Sequence, residues 1–225
     1  MSLRVALLGI LTAEPMTGYD LVKYFDGTVG FVWSAPHSQI YPELRRMEAG
    51  GLVRARVVPR GQRATKRIYE ITDNGRRELQ AWVAELQPVQ PERDVARLKA
   101  AYFEWGSYDA ARRQLQEHLR HYTEYLRERE QIVSDIDALR VPLLRRRVET
   151  RGVAESQAII AFKRLAFEGG IAHAKAEIEW ATRGLAMIDE LERIGGSVSV
   201  PEASPRPQTS TRAERARRGA TARSK

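Results

Sequence analysis

Residues 33–69 read WSAPHSQIYPELRRMEAGGLVRARVVPRGQRATKRIY. The first part alternates apolar and polar residues at helical spacing and ends at the paired glycines Gly50 and Gly51, a typical helix stop. Two runs rich in Val, Ile, Tyr and Thr follow at 52–58 and 64–72, and the turn between them is crowded with arginine. A short amphipathic helix followed by a basic hairpin predicts a DNA-reading helix with a β-wing.

A proline limits where this third helix begins. Pro42 is tolerated only in or beside the first turn, so we expect the helix to start near Ser38, with Ser38 or Ser34 as its cap. The apolar stripe comprises Ile40, Leu44 and Met47, and the polar residues predicted to face elsewhere are Gln39, Glu43, Arg45 and Arg46.

The flanking segments supply the remaining elements of a DNA-binding domain. The first helix should end before Pro15, and Thr17 with Asp20 forms a capping box that opens the second helix. Thr72 is the predicted cap of a fourth helix that ends near Pro88. The order helix-helix-helix-strand-strand-helix predicts a winged helix-turn-helix, in a chain that is mainly α with a small β-wing.

Long helical patterns fill the second half of the chain. We predict a short helix at 92–105, a long helix from Ser107 and a third helix beyond Pro142, with apolar residues in 4,3 alternation on the long ones. Such seams need a partner, which is either a second copy of the chain or another helix of the same subunit. The residues assigned to a dimer seam are Leu115, Leu119, Tyr122, Leu126, Phe167, Ile171, Ile178, Leu185 and Ile188.

Charge and composition suggest three regions, at 1–87, 88–194 and 195–225. The net charge is +8, with 12 Lys/Arg against 9 Asp/Glu in residues 1–87 and 7 against 2 in residues 201–225. The last region is rich in Pro, Ser, Thr and Arg, which predicts a disordered basic tail. The tail either adds non-specific DNA affinity or serves only to keep the chain solvated.

Several classes of protein are disfavoured by what the sequence lacks. It contains no cysteine, which excludes disulfides and thiolate chemistry and fits the cytoplasm. No segment approaches the roughly 20 apolar residues that span a bilayer, so we expect no membrane partner. We find no phosphate loop, nucleophile elbow or paired carboxylates and predict no enzyme, cofactor or metal site. His118 and His121, three residues apart, are interpreted as part of a solvated helix.

Side chains on the third helix and the wing have the chemistry that a DNA interface needs, namely groups for base edges and groups for phosphates. Gln39 fits a bidentate contact to adenine, and Arg45 fits a phosphate clamp. Because strand residues alternate between faces, Arg60 and Arg63 at the wing tip are preferred over the rest of the wing. The predicted DNA-binding set is Thr17, Tyr19, Ser38, Gln39, Tyr41, Arg45, Arg46, Arg60, Arg63, Lys66 and Arg67.

Three of these assignments keep a structural alternative. Tyr41 is either a DNA contact or an aromatic side chain that packs on the second helix. Thr17 is either a backbone contact or only a cap. The charges of the wing either face DNA or form an ordinary solvated surface.

Three motifs closely resemble the PadR family of bacterial transcriptional regulators: MTGYDL at 16–21, SQIYPELRRMEAGGLV at 38–53 and KRIYEITDNGRREL at 66–79. Two later stretches, YLRERE at 125–130 and IAHAKAEIEW at 171–180, resemble the larger subgroup with a virulence-activator-type helical domain. The resemblance covers residues 1–192. It implies a dimeric DNA-binding regulator, often a repressor, whose last helices make the dimer contacts. Some members of the family answer small aromatic or phenolic compounds.

These observations lead to one main functional hypothesis and two rivals. We expect a cytoplasmic homodimer that binds a pseudo-palindromic operator in double-stranded DNA, represses transcription and is relieved by a small aromatic effector. One rival is a non-sequence-specific architectural DNA-binding protein that relies on the wing and tail. The other is a helical protein-interaction module with a merely solvated wing.

Overall fold

Helices make up most of the computed structural model, which describes residues 2–27, 36–60, 64–88 and 93–195. Within these ranges the helices are α1 (Ser2–Leu11), α2 (Gly18–Gly27), α3 (His37–Ala49), α4 (Asp73–Ala84), α5 (Val95–Ala100), α6 (Tyr108–Asp137), α7 (Pro142–Glu149) and α8 (Val153–Arg193). The strands are β1 (Met16–Thr17), β2 (Val53–Arg60) and β3 (Ala64–Ile71). The predicted mainly α fold with a small β-wing is confirmed.

The three strands form one antiparallel sheet in the order β1-β3-β2. The register pairs Val53 with Ile71 and Arg54 with Glu70, so that residues alternate between two faces along both long strands. One face buries Val53 and Ile71 in the core. Strand β1 was not predicted, because a strand of two residues carries no alternation that a sequence could reveal.

We call α1–α4 together with the sheet the head. Its core is a cluster of buried apolar side chains from α1–α3, the sheet and the segments beside them. Helix α4 approaches this core closely at Gly75. The members of the cluster in the head are Leu7, Leu8, Ile10, Leu11, Met16, Leu21, Phe25, Ile40, Leu44, Met47, Leu52, Val53, Tyr69 and Ile71. Two predicted caps are confirmed. The Thr17 hydroxyl accepts from the Asp20 N–H at 3.2 Å, and the Thr72 hydroxyl oxygen accepts from the Gly75 N–H at 3.1 Å.

Helix α3 begins one residue earlier than expected, and the predicted cap is wrong. The N-cap position is Pro36, whose extended backbone turns the chain into the helix and whose carbonyl accepts the Gln39 N–H at 2.9 Å. Ser38 is therefore an exposed residue of the first turn, and Ser34 lies outside the described residues. Pro42 lies inside the helix, where its missing N–H leaves one helical hydrogen bond unmade.

The second half of the described chain contains four α-helices where three were predicted. The expected helix at 92–105 is split into α5 and a 3-10 turn at Phe103–Trp105. The basic run after Pro142 is itself helical, because proline at the first helical position fits the fixed φ and needs no donor. Pro142 thus begins α7 instead of only interrupting the chain.

Helix α7 is buried on two sides. Leu143 belongs to the head core, and Arg146 forms an ion pair with Glu14 at the end of the α1 region. Leu144 and Val148 belong to a second cluster with Ile136 and Phe167, and Ser156 of α8 donates to the Val148 carbonyl at 3.1 Å. One short helix therefore contributes to two hydrophobic clusters.

The chain divides into two compact units, one of Met1–Glu92 with Gln116–Arg183 and the other of Arg93–Leu115 with Gly184–Lys225. In the second unit, Arg112 pairs with Asp189 and, at 2.5 Å, with Glu192. A Cβ placed on Gly184 would lie 2.8 Å from Cδ1 of Leu115, so α6 and α8 approach closely there. Among the described residues, no helix is both long and apolar enough to cross a bilayer.

Candidate nucleic-acid interface

A groove of about 970 Å³ runs between the start of α2, one side of α3 and strand β3. We call it the head groove. Its lining residues are Thr17, Gly18, Tyr19, Asp20, Tyr41, Arg45, Thr65, Lys66, Arg67 and Tyr69. Six of the predicted DNA-binding residues are in this set, from three separate stretches of sequence. The fold therefore brings these six to one surface.

The start of α2 forms one wall of the groove. The Thr17 hydroxyl donates to Asp20 Oδ2 at 2.6 Å as part of the capping box, so this side chain is already engaged within its own turn. Tyr19 is 73% exposed. A Cβ on Gly18 would lie 2.6 Å from Cε1 of Tyr41, which shows how closely the tyrosine ring lies against the α2 backbone.

Tyr41 packs on the second helix, and its assignment as a DNA contact remains a prediction. Its ring packs against Gly18 of α2, yet the residue is 47% exposed and lines the groove. A glycine at 18 is what lets the ring approach, because any larger residue would push it away. Its phenol is thus held on a groove wall with much of the residue open to solvent.

Helix α3 presents its first turn and one side to solvent. Ser38 and Gln39 are exposed in that first turn, and Arg45 is exposed two turns later along the groove. No carboxylate among the described residues pairs with Arg45. Arg46 is also exposed, but its guanidinium forms an ion pair with Glu43 and it does not line the groove.

Glu43 was predicted to lie on the polar face of α3, away from the core. This prediction is wrong, because the residue is buried, with only 7% of it exposed. Its carboxylate accepts from Arg4 Nε at 2.9 Å and pairs with Arg46. Arg4 also lies 3.5 Å from Glu78 of α4, so one guanidinium connects α1, α3 and α4. Burial opposes ionisation of Glu43, but the hydrogen bond and charge of Arg4, with Arg46, outweigh it and lower its pKa.

On the wing, the register separates the basic residues. Arg67 lies on the same sheet face as Tyr69 and donates from Nη2 to Glu48 at 2.6 and 2.5 Å. Arg54 lies on the opposite face and pairs with Glu70 at 2.9 Å. Lys66 is exposed at the groove rim. The side chain of Arg60 and the whole of Arg63 lie outside the described residues, so their assignment stays a prediction.

Sequence reasoning missed several residues that shape this surface. Gly18 makes the close contact with Tyr41, and Tyr69, which is 5% exposed, also lines the groove. The carboxylates of Glu43 and Glu48 neutralise two of the basic side chains. The sequence signal that could have revealed one of these pairs is the spacing of three between Glu43 and Arg46, which favours an ion pair on a helix.

The residues assigned to a dimer seam fall into two groups in the single chain. Leu115, Phe167 and Ile188 are buried already, so they serve packing within one subunit. The partly buried ones are Leu119, Tyr122, Leu126, Ile171, Ile178 and Leu185. Their assignment to a dimer interface remains a prediction.

The side chain of His118 packs against its neighbours in the second half of the chain. His118 Nε2 lies 2.9 Å from Oε2 of Glu177, and the His118 ring lies 4.7 Å from Tyr122 and 5.0 Å from Trp180, centroid to centroid. Among the described residues, no group of His, Cys, Asp and Glu is arranged to hold a metal ion. His118 is therefore a partly buried member of an aromatic cluster and was wrongly predicted to be solvated.

Comparison with known families supports the same interpretation of the head. Residues 7–81 match the Transcriptional regulator PadR-like family, and residues 92–189 match the Virulence activator alpha C-term family. The chain therefore contains a PadR-like domain followed by a virulence-activator-type C-terminal domain. The two matches follow one another along the chain, in agreement with the resemblance seen in its motifs.

A curated relative of this chain is the negative transcriptional regulator PadR of Bacillus subtilis, 42% identical over 103 residues. That match covers 45% of this chain and 56% of the relative, so it spans about half of the relative's length. The relatives are named as transcriptional regulators and not as enzymes.

Solved structures are similar over a longer stretch. B. subtilis PadR in complex with operator DNA is 29% identical, with a TM-score of 0.59 over 84% of this chain and 100% of that one. The same protein in complex with p-coumaric acid gives a TM-score of 0.57 at 29% identity, over 84% and 99% of the two chains. The Vibrio cholerae virulence activator AphA is 25% identical, with a TM-score of 0.62 over 84% and 99%.

Proposed function

We propose that this protein is a sequence-specific transcriptional repressor of the PadR family that binds a pseudo-palindromic operator through the head groove. The observation that carries the proposal is the convergence of α2, α3 and β3 on one groove with exposed basic and hydrogen-bonding side chains. Residues 1–87 would act as the DNA-binding domain, 88–194 as the dimerisation and regulatory domain, and 195–225 as a basic tail. Since a regulator of this kind must reach DNA in the cytoplasm of a bacterium, we infer a cytoplasmic location.

Different groups of the interface have different expected roles. The exposed first turn of α3 would enter the major groove, where Gln39 can pair with an adenine edge and Ser38 can donate to a phosphate. Arg45, Lys66 and Arg67 would hold the backbone on both sides of that contact. Thr17 and Tyr19 would lie beside the backbone crossed by α2. Arg60 and Arg63 remain candidates for the wing tip.

We expect Gln39→Ala to weaken binding to the preferred sequence by about 10-fold to 100-fold and to relax the preference at one base pair. Arg45→Ala should weaken binding to all sequences and reduce the slope of log K against log salt by about 0.9. Fluorescence anisotropy would measure both, with a duplex enriched by selection from a random pool and a random duplex of the same length.

Arg113→Ala is the matched control, because this exposed arginine of α6 lies outside the head. Equal affinity of the unchanged protein for selected and random duplexes would favour the architectural rival. Unchanged binding in both the Gln39 and the Arg45 variants would favour the protein-interaction rival.

We also propose that the chain acts as a homodimer. The partly buried seam residues of α6 and α8 leave apolar surface that a second copy can cover. Two heads would then meet half-sites about one helical turn, roughly 34 Å, apart. Light scattering of the full chain would test this, and a monomer at micromolar concentration would contradict it.

A small aromatic effector would relieve repression, and a groove of about 380 Å³ in the second unit has suitable chemistry for one. It is lined by aromatic and aliphatic side chains, including Tyr102, Phe103 and Trp105, and by the basic side chain of Lys99. We expect p-coumaric acid, the compound bound to the B. subtilis relative, to quench the fluorescence of Trp105 on binding. A saturable signal that is lost in Trp105→Phe supports the site, and a signal that persists unchanged in that variant contradicts it.

A further inference from the structure

Glu48, near the end of α3, holds a basic side chain of the head groove in place. Both of its carboxylate oxygens lie within 2.6 Å of Nη2 of Arg67, on strand β3. The guanidinium carbon of Arg67 also lies 5.8 Å from the centre of the Tyr69 ring. Arg67 is thus directed along the groove wall towards α3 and already has an anionic partner.

The other cations of the groove differ from Arg67 in this respect. No carboxylate among the described residues pairs with Arg45 or Lys66, which line the same groove. These two are available to phosphate at once. Arg67 must first exchange the Glu48 carboxylate for a phosphate oxygen, which has the same charge and similar geometry.

The exchange is feasible because the pair is partly open to water. The Arg67 side chain is 48% exposed and that of Glu48 is 31% exposed, and ion pairs at such positions contribute little to fold stability. The charge of Glu48 still matters for DNA, since it cancels one cation of the groove and repels phosphates until Arg67 is transferred. A random duplex is held only by electrostatic contacts, and its affinity gains least when Arg67 passes from Glu48 to a phosphate.

We propose that Glu48 restrains DNA binding by the head, because its carboxylate competes with phosphate for Arg67. On a preferred sequence, contacts between α3 and base edges hold the head in place, and Arg67 moves from Glu48 to the DNA backbone. On a random sequence those contacts are missing, and Arg67 stays with Glu48. This inference rests on the proposed function of the head groove.

The test compares Glu48→Gln with the unchanged protein on the selected and the random duplex. We expect affinity for the random duplex to rise about threefold at moderate salt, with the salt slope steeper by about 0.9, as for one added phosphate contact. Affinity for the selected duplex should rise at least as much, because the cost of breaking the Arg67–Glu48 pair disappears, while the salt slope for that duplex should change little. In an Arg67→Gln background, Glu48→Gln should no longer steepen the salt slope for the random duplex.

Glu70→Gln provides the matched control. It removes the same charge from the head and releases an arginine, Arg54, but on the sheet face opposite to Arg67. If Glu70→Gln and Glu48→Gln alter random binding equally, net charge explains the effect and the inference is wrong. It is also wrong if Glu48→Gln leaves the affinity for the random duplex and its salt slope unchanged.

Failure of the inference can be told from failure of the proposed function. If the unchanged protein does not prefer the selected duplex, the proposed function fails before any Glu48 variant is considered. If it does prefer that duplex, and Gln39→Ala weakens the preference, the outcome with Glu48→Gln bears on the inference alone. Thermal melting of each variant would verify that the head remains folded.

Discussion

Replacing Gly75 with alanine is expected to destabilise the protein by about 3 kcal/mol and to lower its melting temperature by roughly 6–12 °C. A Cβ at this position would lie 2.2 Å from the carbonyl oxygen of Leu52, 2.9 Å from Cγ1 of Ile71 and 3.0 Å from Cδ2 of Leu8. The carbonyl cannot withdraw easily, because it accepts the Thr72 N–H and hydroxyl, both at 3.0 Å. The start of α4 would have to move away from the core.

Gly9→Ala is the control for this substitution. Gly9 lies inside α1 of the same head, and a Cβ there would meet no atom within 4 Å. Alanine should be neutral or stabilise the helix by about 0.5–1 kcal/mol, because it loses less backbone freedom on folding. Chemical denaturation would measure both variants. Equal stability of the two would show that the close approach at Gly75 relaxes without cost.

Replacing Arg4 with methionine is expected to cost about 2–3 kcal/mol at neutral pH. The substitution keeps an unbranched side chain but leaves the buried carboxylate of Glu43 with Arg46 as its remaining ion-pair partner among the described residues. It also removes the link from α1 to Glu78 of α4. Arg76→Met, on the exposed side of α4, is the matched control and should change stability by less than about 0.5 kcal/mol.

The cost of Arg4→Met should depend on pH. The pKa of Glu43 is lowered in the folded protein, so its ion pairs contribute stability above the ordinary carboxyl pKa and lose it as pH falls through the lowered value. The difference between the variant and the unchanged protein should therefore shrink as the pH falls from neutrality to below the lowered pKa of Glu43. Urea denaturation at several pH values would follow it. A difference that stays constant over this range would contradict the role of Glu43.

Local signals in the sequence predicted the parts of the fold that depend on neighbouring residues. Thr17 with Asp20, and Thr72 with Gly75, lie three residues apart and form the capping contacts that were expected. The apolar stripe of α3 is buried as predicted. The motif segments also identified the family correctly, because several of them had to occur together.

Contacts between distant residues explain what the sequence could not reveal. Glu43 looked like a surface residue because its buried partner, Arg4, is 39 positions away along the chain. Strand β1 exists through its pairing with Tyr69 and Ile68, more than 50 residues later. In the same way, the Arg67–Glu48 pair depends on the register of the wing against α3, which no local pattern encodes.

The packing of α7 into two hydrophobic clusters affects how the folded protein opens locally to hydrogen exchange. Leu143 cannot leave the head core unless neighbouring Leu144 and Val148 are also pulled from the second cluster. The backbone amides of α7 should therefore exchange with deuterium only in openings that disturb both clusters, and no faster than the less labile of the two. A fragment limited to residues 1–87 would lack Leu143 and Arg146, leaving the place of Leu143 in the head core open to water.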